Sequence, residues 1–221
     1  MKGRNAEETR EAILNAAEEV FAEHGFDGAR IDAIAERSGY NKSLIFQYYG
    51  DKLGLYSEVL IRSDKELNAL QARVLMPMLE DSTIARDAYK LKRLLETTVR
   101  VIFDYMLEHP LLVRMVNWEM AEGWQSYAKI ISQFQQEDTK QLDETFRTAR
   151  EAGLLRPGFD TLVQLTLILQ LCVSHISYIP LYKMLFPDDD FSSASALTRA
   201  RENIVNFVVG GMMVNPPETK P

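Results

Sequence analysis

Residues 25–52, Gly-Phe-Asp-Gly-Ala-Arg-Ile-Asp-Ala-Ile-Ala-Glu-Arg-Ser-Gly-Tyr-Asn-Lys-Ser-Leu-Ile-Phe-Gln-Tyr-Tyr-Gly-Asp-Lys, constrain this chain more than any other stretch. Ile31, Ile34 and Ala35 fall on one face of a helix expected from Ile31 to Ser38. Gly39 then supplies a left-handed C-terminal position that other residues adopt only with strain. Asn41 suits an N-cap, and a second helix is expected to follow to Tyr49. That helix has barely two turns, too few to be stable alone, so neighbours must hold it. Helix, short turn and short helix make a helix-turn-helix, whose second helix enters the major groove of DNA.

Charge sets a condition on this reading. The chain carries a formal net charge of −7, and residues 1–56 hold seven Lys/Arg against ten Asp/Glu. A DNA binder usually shows a basic footprint. Most of the acids precede Asp27, on the first expected helix, whereas residues 37–50 carry Arg37 and Lys42 and no acid. Binding is therefore expected to depend on salt, with few phosphate contacts per subunit.

Residues four apart share a helical face. On that rule Ile45 and Tyr49 point inward, with Tyr40 leading in, while Ser43 and Gln47, and Leu44 and Tyr48, point elsewhere. Lys42 and Phe46 form a flank. Gln47 can reach adenine or other base edges, and Leu44 and Phe46 can pack on thymine methyls. The aromatics at 46, 48 and 49 also read as core of a small bundle, although one short helix cannot bury every face.

Further residues fit the same pattern: Ala12-Ile13-Leu14-Asn15-Ala16-Ala17 with Phe21 and Gly25-Phe26; Ile31-Asp32-Ala33-Ile34-Ala35; Ser38-Gly39; and Lys42 to Tyr49 followed by Asp51-Lys52. In register and without gaps, Thr9 to Tyr56 resembles the DNA-binding domain of TetR-family transcriptional regulators. The resemblance implies that Tyr48 is the phosphate-contacting aromatic and Lys52 the phosphate-contacting lysine. Arg30 stands where that family usually has Thr, which loses an N-cap but offers a guanidinium to phosphate. The DNA-binding set expected is Arg30, Asn41, Lys42, Ser43, Leu44, Phe46, Gln47, Tyr48 and Lys52.

The fold expected is all-α. A three-helix head (residues 1–56) precedes a helical effector-binding and dimerisation domain (57–214) and a disordered tail (215–221). The first helix should run from about Ala6 to His24, capped by Asn5 with Glu8 and ended by Gly25. Asp51 should cap a helix to about Leu75 that Pro77 breaks, with a loop at 76–83. Helices follow at 84–107, 111–122, 124–152, 160–184 and 192–210, the last ended by Gly210-Gly211. Between Asp160 and Lys183 no residue carries a full charge. That length could span a membrane. The polar Gln164, Thr166, Gln170, Ser174, His175 and Ser177, Pro180 and the lack of a basic flank favour instead a helix buried in an oligomer.

No phosphate-cradling glycine loop or nucleophile elbow is present. Neither enzyme activity nor a cofactor is expected. Cys172 and His175 share a helical face, but two ligands make a poor metal site, so no metal is expected. Phe103, Met106, Met115, Trp118, Phe134, Cys172 and Tyr178 could line an apolar ligand site, with Glu119 suited to a cation or hydrogen-bond donor. The apolar ones also read simply as core, and Glu119 with Glu122 as solvated surface acids. The resemblance implies a cavity for a small lipophilic or aromatic effector. A single cysteine fits a reducing compartment, and the charged run from Lys2 to Glu11 shows no secretory leader. The expectation is a cytoplasmic, homodimeric repressor that leaves a palindromic operator when an effector binds, with no membrane partner. The alternative is a small-molecule binder or enzyme that keeps the head as scaffold.

Overall fold

A computed structural model of the chain describes residues 2–131, 138–158 and 160–218. Ten α-helices occur among the described residues: α1 (Lys2–Gly28), α2 (Ile31–Ser38), α3 (Lys42–Tyr49), α4 (Lys52–Leu79), α5 (Ala88–Glu108), α6 (Pro110–Ala121), α7 (Gln125–Ile130), α8 (Asp138–Glu151), α9 (Thr161–Leu185) and α10 (Ala194–Met212). A short 3-10 turn, Ile84–Arg86, precedes α5. The helices fall into two compact units, one of residues 1–67 with 109–135 and the other of 68–108 with 136–221. The expected head lies wholly in the first unit. That unit also takes in the start of α4 and, from later in the chain, α6 and α7.

The first unit is built on an apolar stripe of α1. Ile13, Ala17, Val20 and Phe21 are fully buried, as are Ile34 of α2, Ile45 of α3, and Leu55 and Val59 of α4. Phe21 meets Tyr56 edge-on at 4.8 Å, and Phe26 lies 5.1 Å from the same ring. Such geometry adds to the hydrophobic gain of burying the rings. Arg62 of α4 clamps α1 by donating to Asn15, Glu11 and Glu18. From α6, Trp118 Nε1 donates to the Ala22 carbonyl at 3.3 Å.

The second unit is organised on α5, with Leu91, Leu94, Leu95, Val99 and Phe103 buried and α9 and α10 packed beside it. Arg100 grips Glu202 through two hydrogen bonds, at 3.0 and 2.8 Å. Arg201 donates to both carboxylate oxygens of Asp104 at 2.8 Å. An isolated antiparallel bridge joins Leu155 to Met213.

Several boundaries differ from expectation. α1 begins at Lys2, so Asn5 sits within the helix; its side chain lies outside the described ones. Gly25 does interrupt α1, at φ 68° and ψ 178°. Pro77 stays inside α4, which runs on to Leu79. So near the helix end the missing N–H forfeits a single bond. The expected helix over 84–107 splits at Asp87, whose carboxylate accepts from the backbone of Tyr89 and Lys90. Of the expected helix over 124–152, Trp124 takes a left-handed conformation and precedes α7 (Gln125–Ile130), α8 covers Asp138–Glu151, and residues 132–137 lie outside the described ones. α10 continues through Gly210 and Gly211 to Met212. Buried Val208, Val209, Met212 and Met213 outweigh about 1 kcal/mol of poor helix propensity per glycine there. In the tail expected to be disordered, the Pro217 carbonyl accepts from Lys92 Nζ at 2.7 Å; residues 219–221 lie outside the described ones.

Candidate nucleic-acid interface

The turn between α2 and α3 forms as its residues dictate. Gly39 adopts φ 77° and donates to the Ala35 carbonyl. The Asn41 side chain accepts from Leu44 N at 2.9 Å, satisfying a donor the helix start leaves unpaired. Within α3 only Ile45 is buried. Ser43, Gln47 and Phe46 are exposed, Phe46 by 42%, while Leu44 and Tyr48 are half-buried. The helix therefore presents a polar and apolar face away from its own unit, as its sequence spacing implied. Tyr49, expected in the core, is only half-buried, because its hydroxyl turns out to donate to the Arg10 carbonyl at 3.0 Å. Burial pushes its pKa up to about 12.

α4 holds α3 at its other end. Asp51 accepts from Gly54 N at 2.7 Å, capping α4. At Gly54 a Cβ would lie 2.1 Å from the Tyr49 carbonyl oxygen, so the two helices meet there only through a residue without a side chain.

The cations around α3 are largely engaged within the protein. Lys42 pairs with Asp32 of α2. Arg37 donates to Glu23 at 3.0 Å and lies 3.6 Å from Glu19. That hydrogen bond holds the Glu23 carboxyl below its ordinary range and raises the Arg37 guanidinium. Lys52 donates to the Asp27 carbonyl at 3.1 Å and sits over the Phe26 ring, and desolvation lowers its pKa. Arg10 lies over the Tyr48 ring at 5.2 Å. Arg30 is exposed, precedes α2 and caps nothing with its side chain. Arg10 and Asp32 were not legible from sequence as neighbours of α3, since both act across helices rather than along one.

The candidate effector-site residues separate between the units. Met115, Trp118 and Glu119 lie on α6 in the first; Phe103, Met106, Cys172 and Tyr178 lie on α5 and α9 in the second. Phe134 lies outside the described residues. Glu119 is not a solvated acid: it is buried, and its carboxylate accepts from the Tyr56 hydroxyl at 2.7 Å and Tyr127 N at 3.1 Å. Phe103, Met106, Met115 and Cys172 are buried. Burial pushes the Cys172 thiol up to about 12. Tyr178 is half exposed and stacks at 6.0 Å on Tyr182, in a groove of about 500 Å³ between α9 and α10 that also exposes Arg199 and Asn203. His175 borders this groove; its buried Nε2 has no hydrogen-bond partner among the described residues, and desolvation lowers its pKa. No group of three His, Cys, Asp or Glu side chains among the described residues could hold a metal ion.

Comparison with known proteins places this geometry in a family. A family model described as "Bacterial regulatory proteins, tetR family" matches residues 13–59, spanning most of α1, all of α2 and α3, and the start of α4. A second, "Tetracyclin repressor-like, C-terminal domain", matches residues 92–208, more than half of the chain. The chain belongs to the TetR family. Its TetR-family relatives include the HTH-type transcriptional repressor SCO4008 of Streptomyces coelicolor, 35% identical over 55% of each chain. The HTH-type transcriptional repressor NicS of Pseudomonas putida is 29% identical over 54% of this chain and 51% of its own. The chain thus matches these curated relatives over about half their length. Among solved structures, that of SCO4942 from Streptomyces coelicolor superposes with a TM-score of 0.59 at 26% identity, covering 95% of this chain and 99% of that one. FadR from Bacillus subtilis, solved in complex with stearoyl-CoA, has the same fold at a TM-score of 0.59 and 17% identity, over 90% and 97% of the two chains.

Proposed function

We propose that the protein is a dimeric transcriptional regulator, a repressor that a small-molecule effector releases from a palindromic operator. The observation that carries this reading is the outward face of α3. Ser43, Phe46 and Gln47 are free of the core, on a helix capped by Asn41 and anchored through Ile45. In this role Gln47 and Ser43 read base edges, while Leu44 and Phe46 meet thymine methyls. Tyr48, Lys52, Arg30 and Lys42 approach phosphates. Lys52 must first leave the Asp27 carbonyl.

The dimer is proposed from α9 and α10. α9 is long and apolar enough to cross a membrane, yet only 17% of its most apolar window is buried. Leu162 is 73% exposed and Phe207 of α10 is 70% exposed. A second copy burying these faces in a four-helix interface explains an apolar helix left open to water. Two-fold symmetry would set the two copies of α3 about 34 Å apart, one turn of the duplex.

Effector release is proposed to act through α4. This helix begins beside Tyr49 and runs from Lys52 to Leu79, so in this role a shift of its start would move α3. An effector in the second unit, of the lipophilic kind seen bound to the Bacillus FadR, would favour a state with lower DNA affinity. Selection of bound duplexes from a random pool, followed by challenge with lipophilic and aromatic compounds, tests the reading. An enriched palindrome released by a compound is the expected result. A pool that stays random contradicts it.

A further inference from the structure

The ion pair between α2 and α3 bears on how strongly the head holds phosphate. Asp32 stands in the first turn of α2 with its side chain 72% exposed, and Lys42 opens α3 with its side chain 50% exposed. The pair joins two helix starts, where oriented N–H groups favour an anion. The other cation between residues 37 and 50, Arg37, is held by Glu23 and Glu19 of α1. Lys42 is therefore the only cation that α3 itself contributes, and a carboxylate of the same chain already occupies it.

We propose that Asp32 restrains DNA binding by competing with backbone phosphate for Lys42, a role that rests on the DNA-binding reading above. Exposed ion pairs are weak, so Lys42 can leave Asp32 for the duplex. The carboxylate then remains beside a polyanion and must take up a cation. Cation uptake by Asp32 offsets the counterion that Lys42 releases from DNA, so this contact adds little to the salt dependence. The restraint is independent of sequence, because Lys42 and Asp32 meet the backbone rather than the bases. It explains how a head with more acids than bases can carry exposed lysine without adhering to every duplex.

The test compares the full-length protein with Asp32→Asn, Lys42→Ala and the double variant, on the selected operator and on a random-sequence duplex across a salt series. Circular dichroism and thermal melting establish that each variant is folded. Asp32→Asn should tighten binding to both duplexes about fivefold per subunit at low salt, the worth of one unit-charge contact in water. It should also steepen the slope of log K against log salt by about 0.9 per subunit. In the Lys42→Ala background only repulsion between Asp32 and the duplex remains, so the gain in affinity from Asp32→Asn should fall to well under half of its value in the native background. An unchanged affinity for Asp32→Asn, or the same gain with and without Lys42, overturns the competition while leaving DNA binding intact. Retention of no duplex by any of the proteins overturns the DNA-binding reading, and this role with it.

Discussion

The Tyr56 hydroxyl and the Glu119 carboxylate meet at 2.7 Å, both buried, and the carboxylate also accepts from Tyr127 N. Removing the hydroxyl leaves a buried carboxylate oxygen short of a donor. Tyr56→Phe should therefore destabilise the protein by about 1.5–3 kcal/mol in urea unfolding. A loss below experimental error would mean that water replaces the hydroxyl. The tyrosines also give a pH dependence. Burial raises Tyr49 to about 12, and burial with the adjacent Glu119 carboxylate raises Tyr56 as well. An unfolded tyrosine loses its proton near pH 10. Above that pH the unfolded state binds fewer protons than the folded one, so stability falls as pH rises. The Tyr49 contribution is complete below pH 10 and is lost as pH rises to about 12. Tyr49→Phe should flatten part of that alkaline decline, measured as urea midpoints against pH; an identical decline would deny that Tyr49 is desolvated. Neither pairing was legible in the sequence. Tyr56 and Glu119 stand 63 positions apart, and no spacing rule connects a hydroxyl on α4 to an acid on α6. The cap at Asn41 and the left-handed Gly39 were legible, because both act on backbone groups within a few residues.

Where one helix is governed by its own residues, the sequence defines it closely. α2 spans Ile31–Ser38 as its apolar spacing implies, and α9 begins after Asp160, whose carboxylate caps Val163 N. Where packing from elsewhere decides, sequence reading fails. The glycines of α10 and the proline of α4 lie within helices, held by burial and by position in the last turns. In the proposed role α3 depends on its junction with α4, and Gly54 is the narrowest point of that junction. Gly54→Ala should force the start of α4 away from the Tyr49 carbonyl, against a contact of 2.1 Å that no Cβ tolerates. The expected outcome is a lower melting temperature together with weaker binding to every duplex, read by calorimetry and by titration of labelled DNA. Wild-type values for both would show that the junction yields freely and does not position α3.

For the molecule as a whole, the open apolar faces of α9 and α10 call for a partner surface, and a second copy is the occupant proposed. Phe207→Glu should yield a monomer by sedimentation, with near-native helicity and a large loss of operator affinity, since one head alone forfeits the second half-site. A dimer that survives this change would place the interface elsewhere. The effector-site candidates were the least legible part of the chain, because large apolar side chains fill cores and line cavities alike, and theirs divide between two units. Everything proposed for the whole protein depends on α3 turning its free face to a duplex. The most direct measurement is therefore operator selection repeated side by side with the native chain and Gln47→Ala, each over a salt series. The account predicts a palindromic consensus for the native chain, a changed base preference at matching positions of both half-sites for Gln47→Ala, and equal salt slopes. The same consensus and the same affinities from both proteins would contradict it.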